Sequence, residues 1–117
     1  MEKQYKVVYY LSSTGDKPFS KFLDTLEKRQ QAKIIRLFQY IKQYGLEAIS
    51  KHTRKLSDTP LWEIRIVGKD NIRVIYFIPK AYTVLVLHGF VKKKQKTPKK
   101  ELNIAMKRYN DWLKRSS

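Results

Sequence analysis

Between Leu61 and Val91 three runs of β-branched and aromatic residues follow one another: Leu61–Val67, Ile72–Ile78 and Tyr82–Val91. Only Gly68-Lys69-Asp70-Asn71 and Pro79-Lys80-Ala81 separate them. Runs of this composition joined by such short turn sequences predict an antiparallel meander, on which the rest of the chain must pack. Upstream, Tyr5–Leu11 reads as a further strand, closed by the turn-forming stretch Ser12-Ser13-Thr14-Gly15-Asp16. Pro18 opens a helical pattern with Phe19, Phe22, Leu23 and Leu26 at helix spacing. After a break near Lys28-Arg29, a second helix is expected from about Gln30 to Tyr44, with Ile34, Leu37, Phe38 and Ile41 on one face and Gly45 ending it. Leu46–Ile49 reads as a short helical turn, and Lys51–Leu56 as a basic strand or edge segment. Thr97-Pro98 starts a last helix carrying Leu102, Ala105, Met106, Tyr109 and Leu113 at core spacing.

The order strand, two helices, several strands, helix predicts an α+β fold. It has an antiparallel sheet of four to five strands, the helix pair on one face and the other face partly open. At 117 residues the chain is expected to form a single domain, 1–117.

Charge gives the first functional direction. There are 26 Lys and Arg against 10 Asp and Glu, a net +16, with a block at Lys92-Lys93-Lys94, Lys96, Lys99 and Lys100. Such a field concentrates polyanions, and nucleic acid is the natural partner class. The chain has no cysteine, which excludes a disulfide framework, a thiolate nucleophile and a Cys-based zinc site. Its two histidines lie more than thirty positions apart and match no common ligand spacing, so no metal and no cofactor are expected. No stretch approaches the ~20 apolar residues of a membrane span, and Met1–Tyr10 lacks the pattern of a signal peptide; a cytoplasmic protein with no membrane partner is expected.

On an alternating strand Glu63 and Arg65 share one face, with Trp62, Ile64 and Ile66 on the other. If Val67 pairs with Ile72, Tyr76 lies opposite Glu63; a slip of one residue brings Arg73 to that face instead. His88 lies late in the next strand, which leads into Lys92 and Lys93. Arg73 interrupts the apolar run Ile72, Val74, Ile75, Tyr76, where a cation calls for an anion to meet it. Metal-free RNA cleavage requires removing the 2′-hydroxyl proton, stabilising the scissile phosphate and protonating the leaving oxygen, and these residue types can do all three. Taken singly, each has a plainer reading: Glu63-Arg65 as a surface ion pair, Tyr76 and Trp62 as core, and His88 as a hydrogen-bonded structural residue.

The segments Lys55-Leu56, Leu61-Trp62-Glu63-Ile64-Arg65, Arg73-Val74-Ile75-Tyr76 and Leu87-His88-Gly89-Phe90-Val91-Lys92-Lys93, followed by Thr97-Pro98, Ala105 and Arg108, together resemble the RelE/ParE toxin superfamily. The closest likeness is to its phage-derived, HigB-like branch. The resemblance covers nearly the whole chain. It implies the toxin of a type II toxin-antitoxin system, a ribosome-dependent mRNA endoribonuclease that inhibits translation. The implied partner is a cognate HigA-like helix-turn-helix antitoxin, which with the toxin acts on operator DNA. By position, Arg73 matches the arginine that holds the scissile phosphate, Lys92 and Lys93 match the basic loop, and Arg65 matches a basic position of the preceding strand. Glu63 stands where relatives carry a basic residue, and a tyrosine found late in some RelE chains is missing. The expected catalytic set is therefore Arg73, Glu63, Arg65, His88 and Lys93, with Glu63 or His88 as general base. Arg54, Lys55, Tyr76, Lys92, Lys94 and Lys96 are the expected RNA contacts. The alternatives are a ParE-like gyrase poison sharing the fold, and a non-catalytic nucleic-acid-binding module.

Overall fold

The computed structural model describes residues 4–66, 68, 71–92 and 97–116. Strand β1 (Lys6–Tyr9) leads into helices α1 (Pro18–Asp24) and α2 (Lys28–Tyr44), then a 3₁₀ helix (Leu46–His52). Strands β2 (Thr53–Lys55), β3 (Trp62–Ile66), β4 (Ile72–Phe77) and β5 (Thr83–Val91) follow, and helix α3 (Lys99–Ser116) closes the chain. The break between α1 and α2 falls earlier than Lys28-Arg29 because Glu27 and Gln30 form a reciprocal capping box that starts α2 at Lys28. The Gln31 amide secures the corner by donating to the carbonyls of Leu23 and Leu26, 2.7 and 3.1 Å away. Gly45, at φ 84°, ends α2 with its N–H on the Ile41 carbonyl.

The five strands form one sheet in the order β1-β5-β4-β3-β2. β3 to β5 are the antiparallel meander that the sequence predicts, and the basic edge segment extends it as β2, antiparallel to β3. β1 adds to the free edge of β5 in parallel, Lys6 opposite Thr83 and Tyr9 opposite Val86, so the sheet is mixed. The helix pair and the 3₁₀ helix form the long connection that a parallel placement requires, carrying the chain from one edge of the sheet to the other.

Both faces are packed. Under α1 and α2 lie Phe19, Ile34, Phe38, Ile41, Ile64, Val74, Tyr76, Val84 and Val86. α1 approaches β5 so closely that a Cβ at Gly89 would stand 2.6 Å from the Phe22 ring and 2.7 Å from Phe19. The second face is more covered than the sequence suggests. α3 seats Ala105, Leu102, Met106, Tyr109 and Trp112 on Ile75, Phe77, Leu85, Leu87 and Phe90. Phe77 meets the rings of Tyr109 and Trp112 edge-on at 4.8 and 5.2 Å. α3 packs against β5. Beside it, over β2, β3 and the start of β4, the same face carries charged side chains. Among the described residues no helix is long and apolar enough to cross a membrane.

Candidate phosphate-binding site

The register of β3 on β4 decides what this face presents. Ile66 pairs with Ile72, Arg65 with Arg73, Glu63 with Ile75 and Trp62 with Tyr76. This is the one-residue slip relative to a Val67–Ile72 pairing, and it brings Arg73 onto the face of Glu63 and Arg65. It also sends Tyr76 to the helix-covered face, where only 2% of its surface is exposed and burial pushes its phenol up to about 12. Tyr76 is therefore a core residue, which corrects its expected role as an RNA contact. Trp62 packs on the same core, as expected.

At the centre of the charged face Glu63 is fully buried. Arg54, its cross-strand neighbour on β2, places Nε 3.4 Å from Oε1, and Arg73 places Nε 3.6 Å from the same oxygen. The Thr97 hydroxyl donates to Oε2 at 2.6 Å and accepts from Arg54 Nη2 at 3.3 Å. Arg65 stands directly opposite Arg73, a like-charge pairing that destabilises a sheet unless an anion joins it. Burial holds the Arg73 guanidinium below its ordinary value; Glu63 opposes the shift, while Arg65 and Arg54 add to it. Lys92, itself 7% exposed, is lowered first by burial and next by Arg73, with Glu63 again opposing. Four cations from four strands or their ends thus surround one carboxylate. Glu63 Oε1 and Arg73 Nε, both buried, lack a hydrogen-bond partner of normal geometry.

Beyond the start of β2 this cluster opens into a cleft of about 270 Å³ walled by Lys51, His52, Arg65, Ile66, Gly68, Asn71 and Arg73. No carboxylate is among these residues. Lys51 and His52 were not singled out from sequence; a histidine beside the basic run before Arg54 was the available signal. Thr97, expected only at the start of the last helix, turns its hydroxyl to Glu63.

His88 occupies a different setting. Ile75 pairs with His88 but Tyr76 with Val86, so Leu87 is an extra residue on β5, a bulge. The bulge directs both Leu87 and His88 toward α3. His88 Nε2 lies 2.7 Å from Glu101 Oε1, and Arg108 Nη1 donates both to the Leu87 carbonyl at 2.8 Å and to His88 Nδ1 at 3.1 Å. Both ring nitrogens are thus engaged, with the proton on Nε2. Burial lowers the imidazole, the Glu101 hydrogen bond opposes this, and Arg108 lowers it further. Its ring stacks on Phe90 at 5.6 Å. Lys55 pairs with Trp62 on the other face of the sheet, and its ammonium donates to the Thr59 carbonyl. Lys93, Lys94 and Lys96 lie outside the described residues. Among the described residues no group of three His, Asp or Glu side chains could hold a metal ion.

The model of the family described as phage derived protein Gp49-like (DUF891) matches residues 21–110. The chain belongs to this family. The Gp49-like proteins are related to the RelE and toxin-like proteins, and the α+β architecture described above is consistent with a RelE-like fold. The matched span of this Gp49-like chain runs from α1 to within α3, so it includes Arg54, Glu63, Arg65, Arg73, His88, Lys92 and Thr97. Among curated proteins no relative matches.

Proposed function

We propose that this Gp49-like protein is the toxin of a type II toxin-antitoxin pair, an endoribonuclease that cuts mRNA on the ribosome without a metal and is neutralised by a cognate antitoxin. The observation that carries the reading is the cation cluster. Arg65 and Arg73 face each other across two strands, with Arg54 and Lys92 beside them and one buried carboxylate as counter-charge. A phosphodiester entering the cleft supplies the missing negative charge, and its developing charge in the transition state is met by guanidinium groups already in place.

The remaining steps are proton transfers. Glu63 is held by Thr97 and two arginines, and His88 by Glu101 and Arg108, so both act as positioning groups: Glu63 fixes Arg73, and His88 ties β5 to α3. His52 lines the cleft beside Arg65 and Arg73. In this reading its imidazole takes the proton of the 2′-hydroxyl, O2′ attacks phosphorus, and the P–O5′ bond breaks. The Lys51 ammonium then returns a proton to O5′. The products are a 2′,3′-cyclic phosphate and a 5′-hydroxyl.

The test is brief induction of the chain and of its Arg73→Ala variant in cells, followed by mapping of new mRNA 5′ ends. Cuts within translated frames, present for the parent and absent for the variant, are expected. Growth arrest with intact mRNA and a DNA-damage response would overturn the reading in favour of a gyrase poison. Salt-sensitive RNA binding without any cut would leave a binding module.

A further inference from the structure

The basic cleft does not end at His52. His52, Arg65 and Ile66 also line a second cavity of about 400 Å³, which runs between α2, the 3₁₀ helix and the edge of β3. That volume lies within the roughly 300–1,000 Å³ of small-ligand sites. Its character differs from that of the cleft. Leu37 and Ile49 contribute apolar walls, and Tyr40 and Tyr44, one helical turn apart on α2, stand at the rim 51% and 62% exposed. Their ring centroids are 6.0 Å apart with planes inclined by 33°. Lys33 and Arg36 also line it, and among the described residues no carboxylate does. The Lys33 ammonium reaches the cleft side of the groove, 3.1 Å from where a Cβ on Gly68 would stand.

An apolar trough with two exposed aromatic rings, joined through shared walls to an arginine-lined cleft, has the layout of a seat for a base and its phosphate. Single-stranded RNA is held in this way, by stacking on aromatic faces while cations follow the backbone. We infer that the groove of Tyr40 and Tyr44 receives an unpaired nucleobase of the RNA whose neighbouring phosphate occupies the Arg65–Arg73 cleft. This rests on the ribonuclease reading for the identity of the polyanion, and it adds where the substrate extends and which side chains grip it.

The test is fluorescence anisotropy with a labelled 2′-O-methyl RNA hexamer, which cannot be cut because the nucleophilic hydroxyl is blocked, titrated with the full chain over a range of salt. Tyr40→Ala and Tyr44→Ala lie on exposed positions and should leave the fold intact. Each should weaken binding about five- to tenfold, the lower part of the range that stacking on one ring spans, without changing the salt slope. The corresponding Phe variants should bind as the parent does. Arg65→Gln should instead reduce the slope by about one. A Tyr40→Ala/Tyr44→Ala chain that binds the hexamer like the parent, with Arg73 dependence intact, overturns the seat and leaves the ribonuclease reading standing. If that double variant keeps RNA affinity but loses affinity for a synthetic Glu- and Leu-rich amphipathic peptide that the parent binds, the groove is a protein-docking surface and the inference fails. If the parent itself binds no hexamer, the seat falls, while the ribonuclease reading is still decided by the mapping of mRNA 5′ ends.

Discussion

Replacing Glu63 by Gln tests the site at its centre. The substitution keeps the side-chain volume and still accepts from Thr97, but removes the negative charge that, among the described residues, acts on both Arg73 and Lys92. The carboxylate is fully buried and the Arg73 side chain 12% exposed, so this is the loss of one partner from a buried pair, which costs about 3–5 kcal/mol. Arg54 is 44% exposed and water screens its share, so the lower end, about 3 kcal/mol, is expected. At about 4 °C per kcal/mol for a chain of this size, Tm should fall by roughly 12 °C in low-salt, anion-free buffer. The same reasoning requires rescue from outside. Inorganic phosphate at about a hundred times its Kd would return about 2.7 kcal/mol if it binds the folded chain alone. The variant should accordingly gain more from phosphate than the parent does. It should also be partly repaired by a second change, Arg73→Gln, which removes the stranded cation. Thermal and urea melts of the four chains of this cycle, with and without phosphate, measure every term. A loss below about 0.5 kcal/mol for Glu63→Gln, or single losses that simply add in the double variant, would show that Glu63 is not the counter-charge of Arg73.

Three further outcomes are expected. Gly89→Ala should destabilise by about 1–3 kcal/mol or more, because its Cβ would overlap Phe19 and Phe22, and Phe22→Leu in the same chain should recover part of the loss in a urea melt. Because the folded chain holds His88 below its ordinary value, the unfolded chain binds the extra proton first on acidification. The stability contributed by neutral His88 is therefore complete above about pH 6.5 and declines as pH falls toward the lowered folded value, then levels off. Melts from pH 8 to pH 5 should show this decline in the parent and lack it in His88→Gln. His52→Gln should slow single-turnover cleavage of ribosome-bound mRNA by roughly 10²–10⁴-fold, far more than it weakens binding of the 2′-O-methyl hexamer; an unchanged cleavage rate would remove His52 from proton transfer.

The elements themselves were legible because hydrophobic period and turn chemistry are local. Strands β3, β4 and β5 and helices α1 and α2 fall within a few residues of their expected limits. Arg73 stood out for a local reason too, a cation inside an apolar run. Pairing was not legible, since it depends on atoms far apart in the chain. The choice between Tyr76 and Arg73 as companion of Glu63 rests on a slip of one residue at the β3–β4 turn, where Asn71 takes φ 51° and Gly68 φ 138°. The bulge at Leu87 is equally hidden, because Leu87 and His88 suit an alternating strand as well as a bulged one. It nevertheless decides that His88 meets Glu101 and Arg108. The parallel seat of β1 and the use of Thr97 by Glu63, 34 residues away, are likewise tertiary facts.

The chemical consequence lies in when the desolvation of the cations occurs. A surface arginine that meets a phosphate must shed water and settle its rotamer at that moment, which weakens the net gain. Here Arg73 and Lys92 are already desolvated by folding, and Glu63 and Thr97 hold the local geometry. Glu63 tempers the cations only partly: a neutral cluster would have no reason to take an anion, and one with no carboxylate would strain the sheet at the Arg65–Arg73 pair. Among the described residues, a single buried carboxylate against four cations keeps the fold intact while leaving the site short of negative charge. Under the proposed ribonuclease reading, a phosphodiester, whose charge shifts onto its oxygens as the P–O5′ bond breaks, is the ligand class that such a deficit would favour most in the transition state.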